Sequence, residues 1–287
     1  MRLKLAGSLS QPKPLSLSLV NGTPFIPAIY IDMGYTDFDV ICIGAGGGRG
    51  GGIDTANSGT LIRSYGGAGG GGGLQRVKGL LSALPASCPV VVGVPGVTGT
   101  EHVSNPTLTT DGTDGGYSSF NGTTCRASGG KGGKRVQSNS VTVTTQANGG
   151  EGGVGASTIP GGGAAGGVAG TPSGTGPGTL GTTGMDGSWT GVIGKGGGGG
   201  AGGVGKYGGV ALNPATDGGR GSYNPGDLIV YGPSEAPTDD LSTNSPGVIP
   251  GKASGAKASP LNKLPYIYGK SGEAGAVVIR LIAVLGP

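Results

Sequence analysis

The sequence is poor in the side chains from which enzyme sites are built. Charged residues make up 12% and aromatic residues 5% of its 287 residues, and His102 is its one histidine. The acidic residues are dispersed, and Asp239-Asp240 is their one adjacent pair. Acid–base and nucleophilic catalysis both need a base placed beside a reacting group. We therefore expect a protein that is not an enzyme, with no catalytic residues to name.

Cysteine is also scarce. Cys42, Cys88 and Cys125 are odd in number, widely spaced and without a CxxC pair. This pattern argues against a zinc site and against a disulfide framework. We expect each cysteine to be a small buried apolar residue, and we expect no metal site and no cofactor.

Long hydrophobic runs are missing. The longest, Ala276 to Leu285, is short and holds Arg280 at its middle, so we expect no membrane span. The first twenty residues, MRLKLAGSLSQPKPLSLSLV, are interrupted by Gln11 to Pro14, which does not fit a signal peptide. We expect synthesis in the cytoplasm of the producing cell, with any export taking place inside a larger particle.

A strong charge imbalance is absent as well, since the net charge is +4. The basic stretch RASGGKGGKR (126–135) resembles an RNA-binding segment, but it lacks the interleaved aromatic residues on which bases stack. Solvated charges that limit the stacking of glycine strands are the favoured interpretation. We expect no nucleic-acid partner.

What the sequence has is glycine, 71 residues of it, together with 20 prolines. Ordering glycine costs more backbone entropy than ordering any other residue, and the apolar core available here is small. Dense hydrogen bonding between backbones would offset that cost. A strand with the threefold polyproline-II twist has outward-pointing N–H and C=O groups, and several such strands of glycine can bond side by side. We predict a polyglycine-II bundle that starts at GAGGGRGGG (44–52) and includes these tracts: 66–73, 129–133, 149–170, 194–209 and 215–221.

The remaining pattern predicts a mainly β fold with little or no helix. Leu15, Leu17 and Leu19 alternate with serines as in a half-buried strand, and Asn21-Gly22 reads as a turn. We divide the chain into a small β attachment segment, 1–36, and a glycine-rich body, 37–287. The runs FDVICI (38–43) and AVVIRLIAV (276–284) are predicted to pair and bracket that body. Further candidate strands are Leu74 to Leu81, Pro89 to Val94, Val136 to Thr145 and Leu228 to Tyr231.

One motif imitates a cofactor site. In FDVICIGAGGGRGG, a β run precedes Gly46, Gly48 and Gly51 with the G-x-G-x-x-G spacing of dinucleotide folds. That motif works only if the third glycine opens a helix, whereas the residues that follow Gly51 do not favour one. We therefore expect no nucleotide here. GKSGE (269–273) likewise lacks the upstream glycine of a phosphate-binding loop, since Leu264 occupies its place.

Four aromatic residues beside glycine-rich turns form a candidate recognition surface, because aromatic side chains are favoured at interfaces. They are Tyr117, Trp189, Tyr207 and Tyr223. Burial as packing plugs among the glycines is the favoured alternative.

Several stretches of the sequence follow one another in an order that resembles a known family. These stretches include YTDFDVICIGAGGGRGGGIDTANSGTLIRSYGGAGGGGG, ALPASCPVVVGVPG, SSFNGTTCRASGGKGGKR and the closing GKSGEAGAVVIRLIAV. From about Tyr30 onward the chain resembles the glycine-rich minor tail proteins of phages that infect mycobacteria. More loosely, it is similar to phage adhesins that contain a polyglycine-II sandwich.

The resemblance implies a structural subunit of the phage tail tip that contributes to host cell-surface contact, located in the virion at the distal tail. It implies neighbouring tail proteins and other copies of this chain as partners, with a trimer as the natural arrangement, and the host envelope as a further contact. A dedicated receptor-binding adhesin is the first alternative. A host-encoded glycine-rich surface protein is the second.

Overall fold

The computed structural model describes residues 12–57, 60–64, 66–100, 109–139, 142–145, 147–168, 182, 184–185, 187–188, 190–196, 198, 204–206 and 272–283. The described part is mainly β with little helix, which confirms the predicted fold class. Its strands are β1 (Leu15–Ser18), β2 (Asp37–Ile43), β3 (Ile53–Asn57), β4 (Thr60–Ser64), β5 (Leu74–Leu80), β6 (Val90–Val91), β7 (Ser118–Phe120), β8 (Cys125–Ala127), β9 (Gln137–Asn139), β10 (Thr142–Thr145), β11 (Ile193–Gly194), β12 (Val204–Lys206) and β13 (Ala276–Ile282). The helices are α1 (Pro27–Asp32) and a 3-10 turn, Leu81–Ala83.

A five-stranded antiparallel sheet in the order β1-β13-β2-β5-β11 is the base of the fold. Its central pair joins β2 to β13, with Asp37 opposite Ile282 and Ile43 opposite Ala276. This confirms the predicted pairing of the two runs that bracket the glycine-rich body. Both runs are rich in β-branched residues, which suit the pleated surface of a strand.

The main hydrophobic core lies between this sheet and the small sheet β6-β7-β8. Phe120 of β7 is fully buried, and its ring meets Phe25 edge to face with centroids 5.7 Å apart. Phe38 of β2 approaches the same ring at 6.1 Å. Aromatic rings therefore carry much of the contact between the two sheets, although they are rare in the sequence.

Strand β1 confirms the alternating leucine pattern. It lies at the edge of the base sheet, where Leu15 is opposite Leu281 of β13. The turn at Asn21-Gly22 is also confirmed, and Gly22 has a φ of +76° there. The division of the chain after residue 36 and the attachment role of the first segment stay predictions.

The other predicted strands have mixed outcomes. The run from Leu74 is strand β5, and Pro89 to Val94 holds only the two-residue β6. The stretch Val136 to Thr145, predicted as one strand, is instead the antiparallel hairpin β9–β10. Leu228 to Tyr231 lies outside the described residues.

The segment after Gly51 shows whether the G-x-G-x-x-G motif has the helix that nucleotide binding requires. Residues 53–57 form strand β3, which pairs with β4. A G-x-G-x-x-G motif needs a helix whose N-terminus faces the pyrophosphate. Since a strand stands in its place, the motif is a coincidence of glycine content.

Candidate functional site: the glycine bundle

Seven glycine-rich segments pack side by side above the base sheet, and we call this assembly the glycine bundle. They are segments I (44–51), II (66–73), III (93–100), IV (109–116), V (128–136), VI (147–155) and VII (161–168). Segment I continues β2, and segment II leads back into β5. Segments III and V leave from β6 and β8, whereas IV returns to β7. The segments therefore form hairpins that stand on the two stacked sheets.

The backbone hydrogen bonds of the bundle repeat every third residue. The N–H groups of Gly44, Gly47 and Gly50 in segment I donate to the carbonyls of Gly73, Gly70 and Gly67 in segment II at 2.9–3.0 Å. This period is that of a threefold helix, and it differs from the two-residue period of a strand. The predicted polyglycine-II arrangement therefore describes segments I and II, whereas the predicted tract 215–221 lies outside the described residues.

Every third residue of segment I points the same way, so the segment has three sets of positions, which we call registers. Each register faces different neighbours. The N–H groups of Ala45, Gly48 and Gly51 donate to Gly116, Thr113 and Thr110 of segment IV, all at 2.9 Å. The carbonyls of the same three residues accept from Gly130, Gly133 and Val136 of segment V. The carbonyls of Gly46 and Arg49 accept from Gly96 and Gly99 of segment III. Segment I is thus surrounded by segments II to V and satisfies its backbone without a β-sheet.

Close packing explains why these positions are glycine. A Cβ added at Gly44, Gly47 or Gly50 would overlap the carbonyl oxygens of Ser128, Lys131 or Lys134 in segment V. A Cβ at Gly66, Gly69 or Gly72 of segment II would overlap carbonyl oxygens of segment I. Only glycine lets two backbones approach this closely.

The number of glycine registers follows the depth of each segment. Segment V reads Gly-Gly-X, and its two glycine registers face segments II and IV. Its third register holds Ser128, Lys131 and Lys134. Segments III and IV lie at the outside and keep one inward glycine register, at Gly93, Gly96 and Gly99 and at Gly112 and Gly115. Lys131 and Lys134 of the third register of segment V reach an exposed face of the bundle, whereas Ser128 is buried.

A ladder of opposite charges covers one of these faces. Lys134 Nζ lies 2.9 Å from Asp111 Oδ2, and Lys131 Nζ lies 3.6 Å from Asp114 Oδ2. Both carboxylates also accept a backbone N–H from segment V, from Arg135 at 2.9 Å and from Gly132 at 2.8 Å. Acids three residues apart in segment IV thus match lysines three residues apart in segment V. Lys131 and Lys134, two of the four cations of the basic stretch 126–135, therefore pair with acids of the same chain.

The environment of Asp111 shifts its titration. Partial burial works to raise the pKa of its carboxyl, but the hydrogen bond from Arg135 N–H and the charges of Lys134 and Arg135 outweigh it. The net result is a pKa below the ordinary value. Asp111 is therefore ionised, and able to join the two segments, throughout the neutral pH range.

Arg49 is the one charged residue of the GAGGGRGGG tract, and its side chain is fully buried in the bundle. Sequence reasoning gave it no role. Its position in segment I, which other segments surround, explains its burial.

The far end of the bundle carries two hairpins. β3–β4 joins segments I and II, and β12 adds a third strand to it. β9–β10 joins segments V and VI. We call these two hairpins the bundle tip. The structure therefore sets short β connections at the end that faces away from the base sheet.

The predicted recognition residues are not brought together in the described part. Tyr117 lies beside segment IV with 39% of its surface exposed. Trp189, Tyr207, Tyr223, His102 and the Asp239-Asp240 pair lie outside the described residues. A shared aromatic surface stays a prediction.

All three cysteines are free thiols and are buried, as predicted. Burial, with a smaller contribution from Cys125, raises the pKa of Cys42 well above its usual value, and burial alone raises that of Cys88. Cys42 Sγ donates to the Cys125 carbonyl at 3.3 Å. These thiols behave as packing groups of the core.

Over the described ranges, no three His, Cys, Asp or Glu residues are grouped so as to hold a metal ion. Among the same residues, no helix has the length and apolar character needed to cross a membrane.

Comparison with known proteins agrees with this architecture at the level of the domain. No curated protein matches the chain. The family model described as a glycine-rich domain matches residues 24–282, which include four of the five strands of the base sheet and the whole glycine bundle. The chain therefore belongs to the glycine-rich domain family.

Proposed function

We propose that the protein is a structural subunit of a phage tail tip, a minor tail protein that contributes to host cell-surface contact. The proposed role is not enzymatic, and the proposed location is the distal tail of the virion. The proposed partners are other copies of the chain and the neighbouring tail proteins.

The observation that carries the proposal is the directional build of the fold. Hairpins I–II and V–VI rise from the base sheets and turn at the bundle tip. Hydrogen bonds every third residue tie each hairpin to the next, and the strands of the two tip hairpins lie at the end away from the base sheet. A particle that must contact a cell surface needs such a projecting element. The resemblance of the sequence from about Tyr30 onward to minor tail proteins of phages also supports a place in the phage tail.

Immunogold labelling of intact virions tests this role. We expect gold particles at the distal end of the tail. Labelling of the capsid, or absence of the chain from purified particles, would contradict the proposal.

The bundle tip favours a dedicated receptor-binding adhesin as the second candidate function. Loops held on a rigid scaffold are the usual carriers of recognition, and the paired strands β3–β4 and β9–β10 lie at the end of the bundle away from the base sheet. If the adhesin role holds, purified protein blocks phage adsorption, and a variant with residues 137–145 replaced by a short Gly-Ser turn does not. Asp111→Asn, on the side of the bundle, is the matched control and should still block.

A host-encoded glycine-rich surface protein is the remaining alternative. The neighbourhood of the gene separates it from the tail proposal, since a tail protein is encoded among other virion genes.

A further inference from the structure

Exposed apolar side chains form two ridges along the glycine bundle. The first ridge is Val94 and Val97 of segment III, which are 67% and 58% exposed. Three residues make one turn of such a segment, so Val94 and Val97 lie on the same face. The second ridge is Val168 and Met185, which are 60% and 63% exposed. The N–H groups of Thr182 and Met185, three residues apart, donate to the carbonyls of Val168 and Ala165, which are also three residues apart.

The two ridges lie at opposite edges of the bundle. Hydrogen bonds run from segment III to segment I, then to II, VI and VII, and finally to Met185, whose N–H donates to Ala165 at 2.9 Å. Segment III is at one end of this series, and Met185 is at the other. The charged ladder of segments IV and V occupies the face between them.

The ridges also lie at the same level along the bundle. Gly96, next to Val97, donates to Gly46, and the neighbouring Gly47 donates to Gly70. From segment II the series continues through Gly153, which donates to Gly71, and through Gly152, which donates to Ala164. Met185 binds the next residue, Ala165. Val97 and Met185 are therefore separated across the bundle and not along it.

Charges of opposite sign accompany the two ridges. Glu273 lies beside the first ridge, where its carbonyl accepts from Gly46 and the adjacent Gly272 donates to Gly96. Lys195 lies on the side of the second ridge. Its backbone N–H donates to the Ser188 carbonyl at 2.8 Å, and the N–H of the adjacent Gly196 donates to the Gly153 carbonyl. Gly46 and Gly153 flank segment II at the same position along the bundle. Glu273 and Lys195 therefore also lie at the same position along the bundle.

We propose that copies of this chain associate side by side, with the first ridge of one copy packed on the second ridge of the next. The proposal gives the proposed homo-oligomer a specific interface and rests on it. Pairing the first ridge with itself would leave Val168 and Met185 in water. Head-to-tail pairing covers both ridges and brings Glu273 near Lys195 of the neighbouring copy. Such a heterologous interface closes into a ring only when the rotation between copies permits it, and ridges at opposite edges of the bundle favour an open row of copies.

Two variants of the full chain test the interface. Val94→Asp/Val97→Asp disables the first ridge, and Val168→Asp/Met185→Asp disables the second. Ile159→Asp, at an exposed apolar residue outside both ridges, is the control. Light scattering during size-exclusion chromatography should show an oligomer for the wild type and the control, and monomers for each double variant.

Mixing the two double variants gives the decisive result. Each retains one intact ridge, and these ridges complement each other, so the mixture should form a one-to-one dimer that grows no further. A mixture that stays monomeric, double variants that stay oligomeric, or a monomeric wild type would each overturn the proposal. If an aspartate variant does not fold by circular dichroism, threonine replaces aspartate at the same positions under the same criteria.

Reversing the charges gives an independent measurement. Lys195→Glu alone and Glu273→Lys alone should each weaken the oligomer, and the double reversal should restore it. No recovery in the double reversal would contradict the pairing of these edges. Virion labelling stays separate from these tests. A monomeric wild type that labels the tail would overturn only the ridge pairing, whereas an oligomer missing from virions would overturn only the tail role.

Discussion

Gly130 of segment V approaches Gly70 of segment II so closely that a Cβ at Gly130 would overlap the Gly70 carbonyl oxygen. The adjacent Lys131 carbonyl accepts the Gly70 N–H at 2.9 Å. The hydrogen bond to Lys131 thus joins segments II and V, and the glycine at position 130 leaves the space in which their backbones approach each other.

This contact predicts a sharp difference between neighbouring substitutions. Gly130→Ala forces the two backbones apart and should cost about 1–3 kcal/mol of unfolding free energy, as overpacking does. Lys131→Ala removes an outward side chain and should change stability by less than about 1 kcal/mol. Denaturant titration of both variants measures the difference. Equal stability of the two variants would show that segments II and V are not packed in this way.

The base sheet holds a second testable contact, the ion pair between Asp39 of β2 and Arg76 of β5. Arg76 Nε donates to Asp39 Oδ1 at 2.7 Å, and Nη2 lies 2.5 Å from Oδ2. Both side chains are largely buried. Asp39→Ala leaves the guanidinium without this partner and should cost about 3–5 kcal/mol.

A double-mutant cycle checks that cost. Asp39→Ala/Arg76→Ala should be less destabilised than the sum of the two single variants, because the charges act as a pair. Asp114→Ala serves as the exposed control, with a cost of at most about 1 kcal/mol. Additive effects at Asp39 and Arg76 would contradict the pairing.

The charged ladder predicts a dependence of stability on pH. The pKa of Asp111 is lower in the folded chain than its ordinary value of about 3.9. Its ionised form therefore contributes stability above that value, and the contribution is lost as the pH falls through the folded pKa. Because the site is largely exposed, we expect an effect of about 0.2–1 kcal/mol.

Thermal unfolding from pH 7 to pH 2 measures this contribution. Asp111→Asn should be less stable than the wild type at pH 7, and the gap should close at the acid end. A constant gap across the range would show that the Asp111 carboxylate does not stabilise the fold.

The buried thiols predict slow chemical modification. Burial raises the pKa of Cys42 and Cys88, which disfavours the reactive thiolate, and Cys125 is also buried. A thiol reagent at pH 7 should modify none of the three in the folded chain and all three in denaturant, as counted by mass spectrometry. Rapid modification of Cys42 in the native chain would contradict its place in the core.

The sequence predicts the base of the fold better than the bundle. The runs at 38–43 and 276–284 are identifiable because β-branched and other apolar residues follow one another there without an intervening glycine. Helix α1 was not predicted, since six residues are too short to show helical periodicity. The hairpin β9–β10 was predicted as one strand because no glycine or proline marks its turn.

Segments III and IV show why the bundle was predicted only in part. They hold few glycines, so a search for glycine-rich tracts passes over them. Their signal is glycine at every third position, as at Gly93, Gly96 and Gly99. Which segments are neighbours could not be predicted, because glycine has no side chain that distinguishes one partner from another.

Hydrogen–deuterium exchange tests the central claim, that glycine tracts order into a hydrogen-bonded bundle. Peptides covering segments I, II and V should exchange as slowly as peptides from β2 and β13, because their N–H groups are bonded inside the fold. Exchange of these segments at the rate of an unstructured chain, beside protected β2 and β13, would contradict it.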